Sequence, residues 1–469
     1  MADVKQNKAH AKTRKREEEK ENGLSSPLND GLKNPCPVKP LHDVRYVSTE
    51  IGRLPSSWVV CRFDSIFSVQ QGKQVSKSKR AGGNQCSFLR TKNVYWGRLN
   101  LSELDKMHFS DTETERLALK TGDLLVCEGG SIGRTAIWNG SIKDCFYQNH
   151  LLRARLIKKN VADPQFMLYW LWYAFEIGKV YFGRGNVTTI PNLASSKLCE
   201  LPIPVPPLPE QRSIATILGQ VQKAIEEQEK LLALTAELKR TLLHQLFTHG
   251  LRNEPQKQTD IGPIPKSWEV TTVGSVARIQ SGGTPSRDNP EYWQNGTIPW
   301  VKTGEIDYCV IQDAEEKITA KGLKESATRL FPKGTLLMAM YGQGVTRGRV
   351  GLLGVDAATN QACASITPND KKQISSVFLY YFFEYHYEAL RKLGHGANQR
   401  NMNAALIRSF PLAFPKPDEQ AELITAFKAL DEKRVLHERK KTLLQDLFRT
   451  LLHELMTAKT RVHKLEITT

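Results

Sequence analysis

Two stretches near the start of this chain carry side chains suited to gripping a polyanion. QQGKQVSKSKRAGGNQ, over 70–85, sets Lys73, Lys77, Lys79 and Arg80 among glycines and amides. RTKNVYWGR follows and adds Arg90, Lys92, Asn93 and Tyr95. Lys and Arg neutralise phosphates, while amides, hydroxyls and guanidinium groups read base edges. A second set of the same make-up lies further on, where SGGTPSRDNPEYW supplies Thr284, Ser286 and Arg287, followed by Lys302 and Thr303. Arg134 follows one Gly-rich turn, and Arg347 and Arg349 another, as phosphate ligands would. Two more loops, GRGNVTTIPN over 183–192 and GHGANQRNMN over 394–403, mix glycine with amides and hydroxyls. Thr188, Thr189, Asn398, Gln399, Arg400 and Asn401 are therefore expected near DNA or at a partner's boundary. The chemistry foreseen is recognition, and the unlike loops foresee two unlike readings.

Bond-breaking chemistry finds little support. A DNA methyltransferase needs an N/D-P-P-Y/F tetrad, and NPEYW over 289–293 has Glu where the second Pro belongs. GQGVTRG over 342–348 is glycine-rich but lacks the strand–helix setting of a nucleotide loop. There is no G-x-x-x-x-G-K-[ST] and no H-E-x-x-H. The eight cysteines are scattered without a C-x-x-C, which argues against a zinc site and a disulfide framework, and for a reducing cytosol. Neither catalysis nor a metal nor a cofactor of its own is expected. The 66 Lys+Arg against 49 Asp+Glu leave a formal +17, which suits a nucleic-acid partner. No apolar signal core opens the chain, and its longest apolar stretch, FMLYWLWYAF, is too short to cross a bilayer. A cytoplasmic location without membrane contact is the expectation.

The elements that position these residues come in duplicate. IGRLPSSW (Ile51–Trp58) recurs as IGPIPKSW (Ile261–Trp268), and KTGDLLV (Lys120–Val126) as PKGTLLM (Pro332–Met338). RTLLHQLFT (Arg240–Thr248) recurs as RTLLHELMT (Arg449–Thr457), all at offsets of 209 to 212 residues. A unit that long is a whole domain plus a connector. Short alternating segments suggest strands, and 163–182 and 375–393 read as buried aromatic helices. PIPVPPLPEQ and FPLAFPKPDEQ each force extended chain and then start a helix of about 40 residues with a 3,4 apolar rhythm. Two such helices are expected to pair as an antiparallel coiled coil. The fold class foreseen is α+β, with two similar mixed globular units alternating with two paired long helices about a pseudo-two-fold axis. The boundaries foreseen are a polar disordered leader over 1–47, globular units over 48–205 and 261–415, and helices over 206–250 and 416–458. A linker covers 251–260 and a tail 459–469. A 40-residue helix spans about 60 Å, so the heads could reach two sites on one face of a duplex.

The order of IGxxPxSW, GGSIGRTA (Gly129–Ala136) and LPIPVPPLPEQRSIATIL (Leu201–Leu218), all repeated, resembles the specificity subunit of type I restriction–modification enzymes. In the second copy the matching pieces include GQGVTRGRVGL (Gly342–Leu352), ATNQACASI and PKPDEQAELITAF, and FPKPDEQ departs from PPLPEQ by lacking its Leu. The resemblance implies a DNA-reading subunit without catalysis, each unit being a target recognition domain for one half of a bipartite asymmetric sequence. It implies a helix pair that sets the spacer and docks two modification subunits, which methylate adenine. It also implies restriction subunits that translocate and cleave. S-adenosylmethionine, ATP and Mg2+ would serve those partners. The rivals are a stand-alone bipartite DNA binder, such as a repressor, and a nuclease acting alone.

Overall fold

The computed structural model describes residues 45–76, 83–182, 192–342, 345–393 and 402–462. The leader foreseen over 1–47 thus lies almost wholly outside them. In the first unit, Leu151–Leu156 is the hub of a four-stranded sheet, pairing antiparallel with both Leu124–Cys127 and Phe67–Gln71. A three-stranded sheet centred on Gln85–Leu89 lies beside it. The second unit repeats the plan: Cys363–Pro368 pairs antiparallel with Ala277–Ser281 and Leu336–Ala339, and Ile298–Val301 anchors the companion sheet. Leu124, Leu125, Val126, Leu336, Leu337 and Met338 are all fully buried, so KTGDLLV and PKGTLLM recur because each supplies a central strand.

The aromatic segments are core helices. Helix α1 (Pro164–Trp172) is capped by Asp163, whose Oδ1 accepts from the amides of Gln165 and Phe166. It widens into a π turn over Tyr173–Ile177 and stops short of the foreseen end at Gly178, whose amide donates to the Tyr173 carbonyl (2.8 Å) and which has no side chain to meet the nearby Tyr173 ring. The counterpart of α1 breaks at His386, whose ring folds back onto Phe382 with centroids 4.4 Å apart.

The proline linkers become strands. Pro202–Val205 pairs with Val59–Arg62, and Pro411–Phe414 with Glu269–Thr272, which suits edge positions where proline loses no ladder bond. The two long helices, α2 (Leu208–His249) and α3 (Pro417–Met456), follow directly and run 42 and 40 residues. Gly250, at φ 69°, ends α2 with its amide on the Leu246 carbonyl. The helices lie antiparallel: Lys239 meets Asp431 at 2.7 Å, and Glu229 meets Lys441 at 3.0 Å. Gln228 and His437 occupy corresponding places in the two repeats and touch each other at 2.8 Å. Equivalent residues in mutual contact mark a pseudo-two-fold axis through the middle of the rod.

Each head is sealed by the far end of the other repeat's helix. Phe448, Leu452 and Leu455 of α3 enter the core of the first unit, and Leu243, Leu246 and Phe247 of α2 that of the second. Each such side chain stabilises by about 1.5–3 kcal/mol when fully buried. The repeated motifs also bind to one another. Trp58 donates its indole N–H to Glu210 (3.1 Å), and Trp268 to Glu419 (3.2 Å). The next residue, Gln211, accepts from the Asp163 amide (2.8 Å) and donates to the Pro206 carbonyl (2.7 Å). Gln420 does the same with Ser375 (3.1 Å) and Pro415 (2.9 Å). The Glu-Gln dipeptide therefore ties head, aromatic helix and rod together at both ends. At the first end Arg461 adds a buried ion pair to Glu210 (2.7 Å), and Val462 is 1% exposed. The segment foreseen as a tail thus packs into the first unit as far as residue 462.

Candidate nucleic-acid interface

The turn that presents the basic residues is the same in both units. Over Thr91–Asn93 the Arg90 amide donates to the Asn93 side chain (2.9 Å), and over Thr303–Glu305 the Lys302 amide donates to Glu305 (2.7 Å). Each leading cation then meets a carboxylate at the start of a later strand, Asp105–His108 in the first unit and Glu316–Ile318 in the second. Arg90 pairs with Asp105 (2.9 Å), with Lys92 at 3.8 Å from the same residue. Lys302 pairs with Glu315 (2.8 Å) and Glu316 (2.9 Å). Thr303 lies in the turn itself.

Two foreseen DNA contacts are corrected by their surroundings. Asn93 is 3% exposed and donates to the carbonyls of Asn100 and Glu103, both at 3.0 Å. Its amide closes the loop, so it has no edge left to offer a base. Lys73 is 7% exposed, donates to the His108 carbonyl (2.7 Å), pairs with Glu113 and lies over the Phe109 ring. It staples strand to helix and does not face phosphate.

The remaining described candidates form two groups. In the first unit the guanidinium carbons of Arg98 and Arg134 each lie 5.4 Å from the Tyr95 ring centroid, and Arg134 donates to the Thr91 carbonyl (2.8 Å). Tyr95 and Arg134 line a cleft of about 810 Å³ between this head and the rod. In the second unit Arg287 lies 3.7 Å over Trp293 and 4.9 Å over Trp300, and pairs with Glu316. Arg287 and then Lys302 hold the Glu316 carboxyl below the usual carboxylate range. Ser286 accepts the Trp293 indole N–H (2.9 Å) through its carbonyl, and Thr284 bonds Gln361. Glu316 thus brings Arg287 and Lys302 together, with Thr303 next in the turn. Arg347 donates to the Arg391 carbonyl (2.8 Å) and Arg349 pairs with Asp307 (2.6 Å), so both tie loops to the protein. Lys77, Lys79, Arg80, Thr188, Thr189, Asn398, Gln399, Arg400 and Asn401 lie outside the described residues. Sequence reasoning missed Trp293 and Trp300 as the bed for Arg287, and Asp105 and Glu316 as matched acids. The signal was present: a Trp six residues after Arg287, and acids at corresponding places in both repeats.

Among the described residues no cluster of His, Cys, Asp or Glu could hold a metal ion, and no helix is long and apolar enough to cross a membrane.

The model of the type I restriction modification DNA specificity domain matches this chain twice, over residues 55–236 and 265–446. The putative type I restriction enzyme MjaX specificity subunit of Methanocaldococcus jannaschii is 24% identical over 432 residues, covering 89% of this chain and 97% of that protein. The MjaIX specificity subunit of the same organism is 24% identical over 325 residues, covering 67% and 73%. Among solved structures, the S subunit of a type I restriction–modification system from M. genitalium superposes with a TM-score of 0.55 at 17% identity, covering 85% of this chain and 96% of that one. At that identity the match speaks for the fold.

Proposed function

The chain belongs to the family of type I restriction–modification DNA specificity subunits, and from that premise we propose how it reads its target. Each head reads one half of a bipartite, asymmetric DNA sequence, and the helix pair fixes the distance between the halves. The observation that carries this reading is the contact of Gln228 with His437 across the axis, because it sets two similar heads at opposite ends of one rod. Helices of 42 and 40 residues span about 60 Å, or between one and two turns of duplex. Arg287, Lys302 and Thr303 in the second head, with Arg90 and Lys92 in the first, supply phosphate and base contacts.

The chain itself is non-catalytic and binds no cofactor. Two modification subunits dock on the rod and methylate adenine with S-adenosylmethionine, and restriction subunits translocate and cleave with ATP and Mg2+. Two leucine pairs support the docking. Leu234 and Leu238 are 61% and 54% exposed, and their counterparts Leu443 and Leu447 are 60% and 45% exposed. Exposed apolar pairs related by the axis suit two copies of one partner. The complex works in the cytoplasm, where chromosomal DNA lies.

Co-purification with a tagged modification subunit, combined with methylome sequencing of the host with and without this chain, tests the reading. The account expects two modification subunits per chain and the loss of one two-part methylated motif on deletion. A chain that elutes alone in the presence of that subunit, or an unchanged methylome, overturns it.

A further inference from the structure

Besides the Arg461–Glu210 pair at the first end, the two ends of the rod differ where head meets both helices. At the first junction Tyr169 donates to Gln222 of α2 (2.9 Å), and Trp172 packs on Phe448 of α3 with centroids 4.8 Å apart. The repeat puts Tyr381, Asp431, Glu384 and Lys239 at the corresponding places of the second junction. Tyr381 again donates to the long helix, at Asp431 (2.9 Å). There, however, Lys239 stands where the first junction has Phe448. Its ammonium lies 2.8 Å from Glu384, 2.7 Å from Asp431 and 5.2 Å from the Tyr381 ring, and Lys239 is 9% exposed. An aromatic, uncharged set at one end faces a buried cation with two anions at the other.

We propose that these positions form a pairing code that lets each repeat assemble only with the other. Each helix contributes to both junctions: α2 brings Gln222 to the first and Lys239 to the second, while α3 brings Asp431 to the second and Phe448 to the first. Two copies of the second repeat, paired about the same axis, would press Phe448 against Glu384 and Asp431. Arg240 and Arg434 also line that junction; Arg434 already pairs with Glu438 (3.3 Å), and in this pairing Arg449 would take the place of Arg240 without replacing the ammonium of Lys239 between the two carboxylates. Two copies of the first repeat would press Lys239 against Trp172 and Gln222. Glu176, Glu226 and Glu229 of the first repeat line that junction, but they are engaged by the Trp96 indole (3.1 Å), the Gln222 amide (3.2 Å) and Arg98 (2.8 Å). A buried charge stripped of its partner is strongly destabilising, so both like pairings are rejected. The second-repeat pair is rejected harder, because two carboxylates lose their cation together. The sealing segments cannot discriminate, since RTLLHQLFT and RTLLHELMT are nearly the same. Within one chain the covalent link already brings unlike repeats together, so the code acts between chains, where it lets the first repeat of one pair only with the second repeat of another; the pairing itself does not rest on the proposed function.

The test uses the full chain with a protease site inserted after Asn253, in the exposed linker, cut after folding. Isotope-labelled and unlabelled cut proteins are mixed in mild urea, and native mass spectrometry counts the pairs. Label scrambling within first–second pairs shows that exchange has occurred. The expected result is that second–second pairs are rarer than first–second pairs by about a hundredfold or more. In K239F/E384W/D431Q, which installs the first junction's residues, all three pairings appear in near-statistical proportions. Should that variant fail to fold, K239M/E384Q/D431N removes the same charges with similar volumes and is read the same way. Abundant second–second pairs in the unaltered sequence, or undiminished selectivity in the charge-free variant, overturns the proposal.

Discussion

Among the described basic side chains proposed to meet DNA, Arg90, Arg287 and Lys302 are each paired with a carboxylate of the protein itself. Arg90 and Lys302 each sit against a carboxylate, Asp105 and Glu316, at matched positions. A phosphate must compete with those acids, which favours a tight fit over indiscriminate attraction. If Arg287 and Lys302 reach phosphates, R287A/K302A lowers the salt dependence of DNA binding by about 0.9 in log–log slope per contact. An unchanged slope, measured by titrating DNA across salt concentrations, removes them from the interface. Asn93→Ala instead costs about 1 kcal/mol of stability, as loss of a capping side chain does, and leaves the target sequence alone. Thermal melts and methylome sequencing separate those two effects. Because Glu316 is held below the usual carboxylate range, its pairing is intact above that range and is lost as pH falls through the lowered value. Trp293 fluorescence should follow this release with a midpoint below that of a free glutamate, and a midpoint at or above it contradicts the pairing. At this scale the sequence was least legible. A lysine in a glycine-rich run looks exposed, and only the fold brings Glu113 and Phe109 to Lys73.

Among the elements, the long helices were the most legible. Their apolar rhythm, proline entry and duplication are all local signals, and the structure bears out both their length and their antiparallel pairing. Their starts carried more than was read from them. Glu210–Gln211 and Glu419–Gln420 signal a helix start, yet their side chains also clamp Trp58, Trp268 and the starts of both aromatic helices. The tryptophan contacts of that clamp span more than 150 residues and the glutamine contacts 48 and 45, which no local pattern reveals. Helix ends were less legible: Gly178 caps the first aromatic helix before the end its apolar run suggests, and the second breaks at His386 and resumes over Tyr387–Lys392, with the His386 ring on Phe382. The spacer role proposed for the rod makes a quantitative prediction. Seven residues inserted into both α2 and α3 near the axis lengthen it by about 10.5 Å, some three base pairs of duplex. Methylome sequencing should show the two half-targets unchanged and the gap between them wider by about three base pairs; altered half-targets would put base reading on the rod.

At the level of the whole molecule, the pseudo-two-fold axis organises everything else. It explains why each head borrows core residues from the opposite repeat, and why exposed leucines recur as Leu234 and Leu238, then Leu443 and Leu447. Replacing one pair by glutamate should lower the bound modification subunits from two to one, read by native mass spectrometry. Loss of both from a single pair would show that the partners do not dock independently. The central claim is that the heads read separately while the rod keeps their distance. Replacing residues 48–205 with the corresponding unit of another family member, followed by methylome sequencing of the host, tests it most directly. The account predicts that one half of the methylated motif changes while the other half and the gap stay as they were. A motif altered in both halves, or collapsed into one continuous sequence, would contradict it.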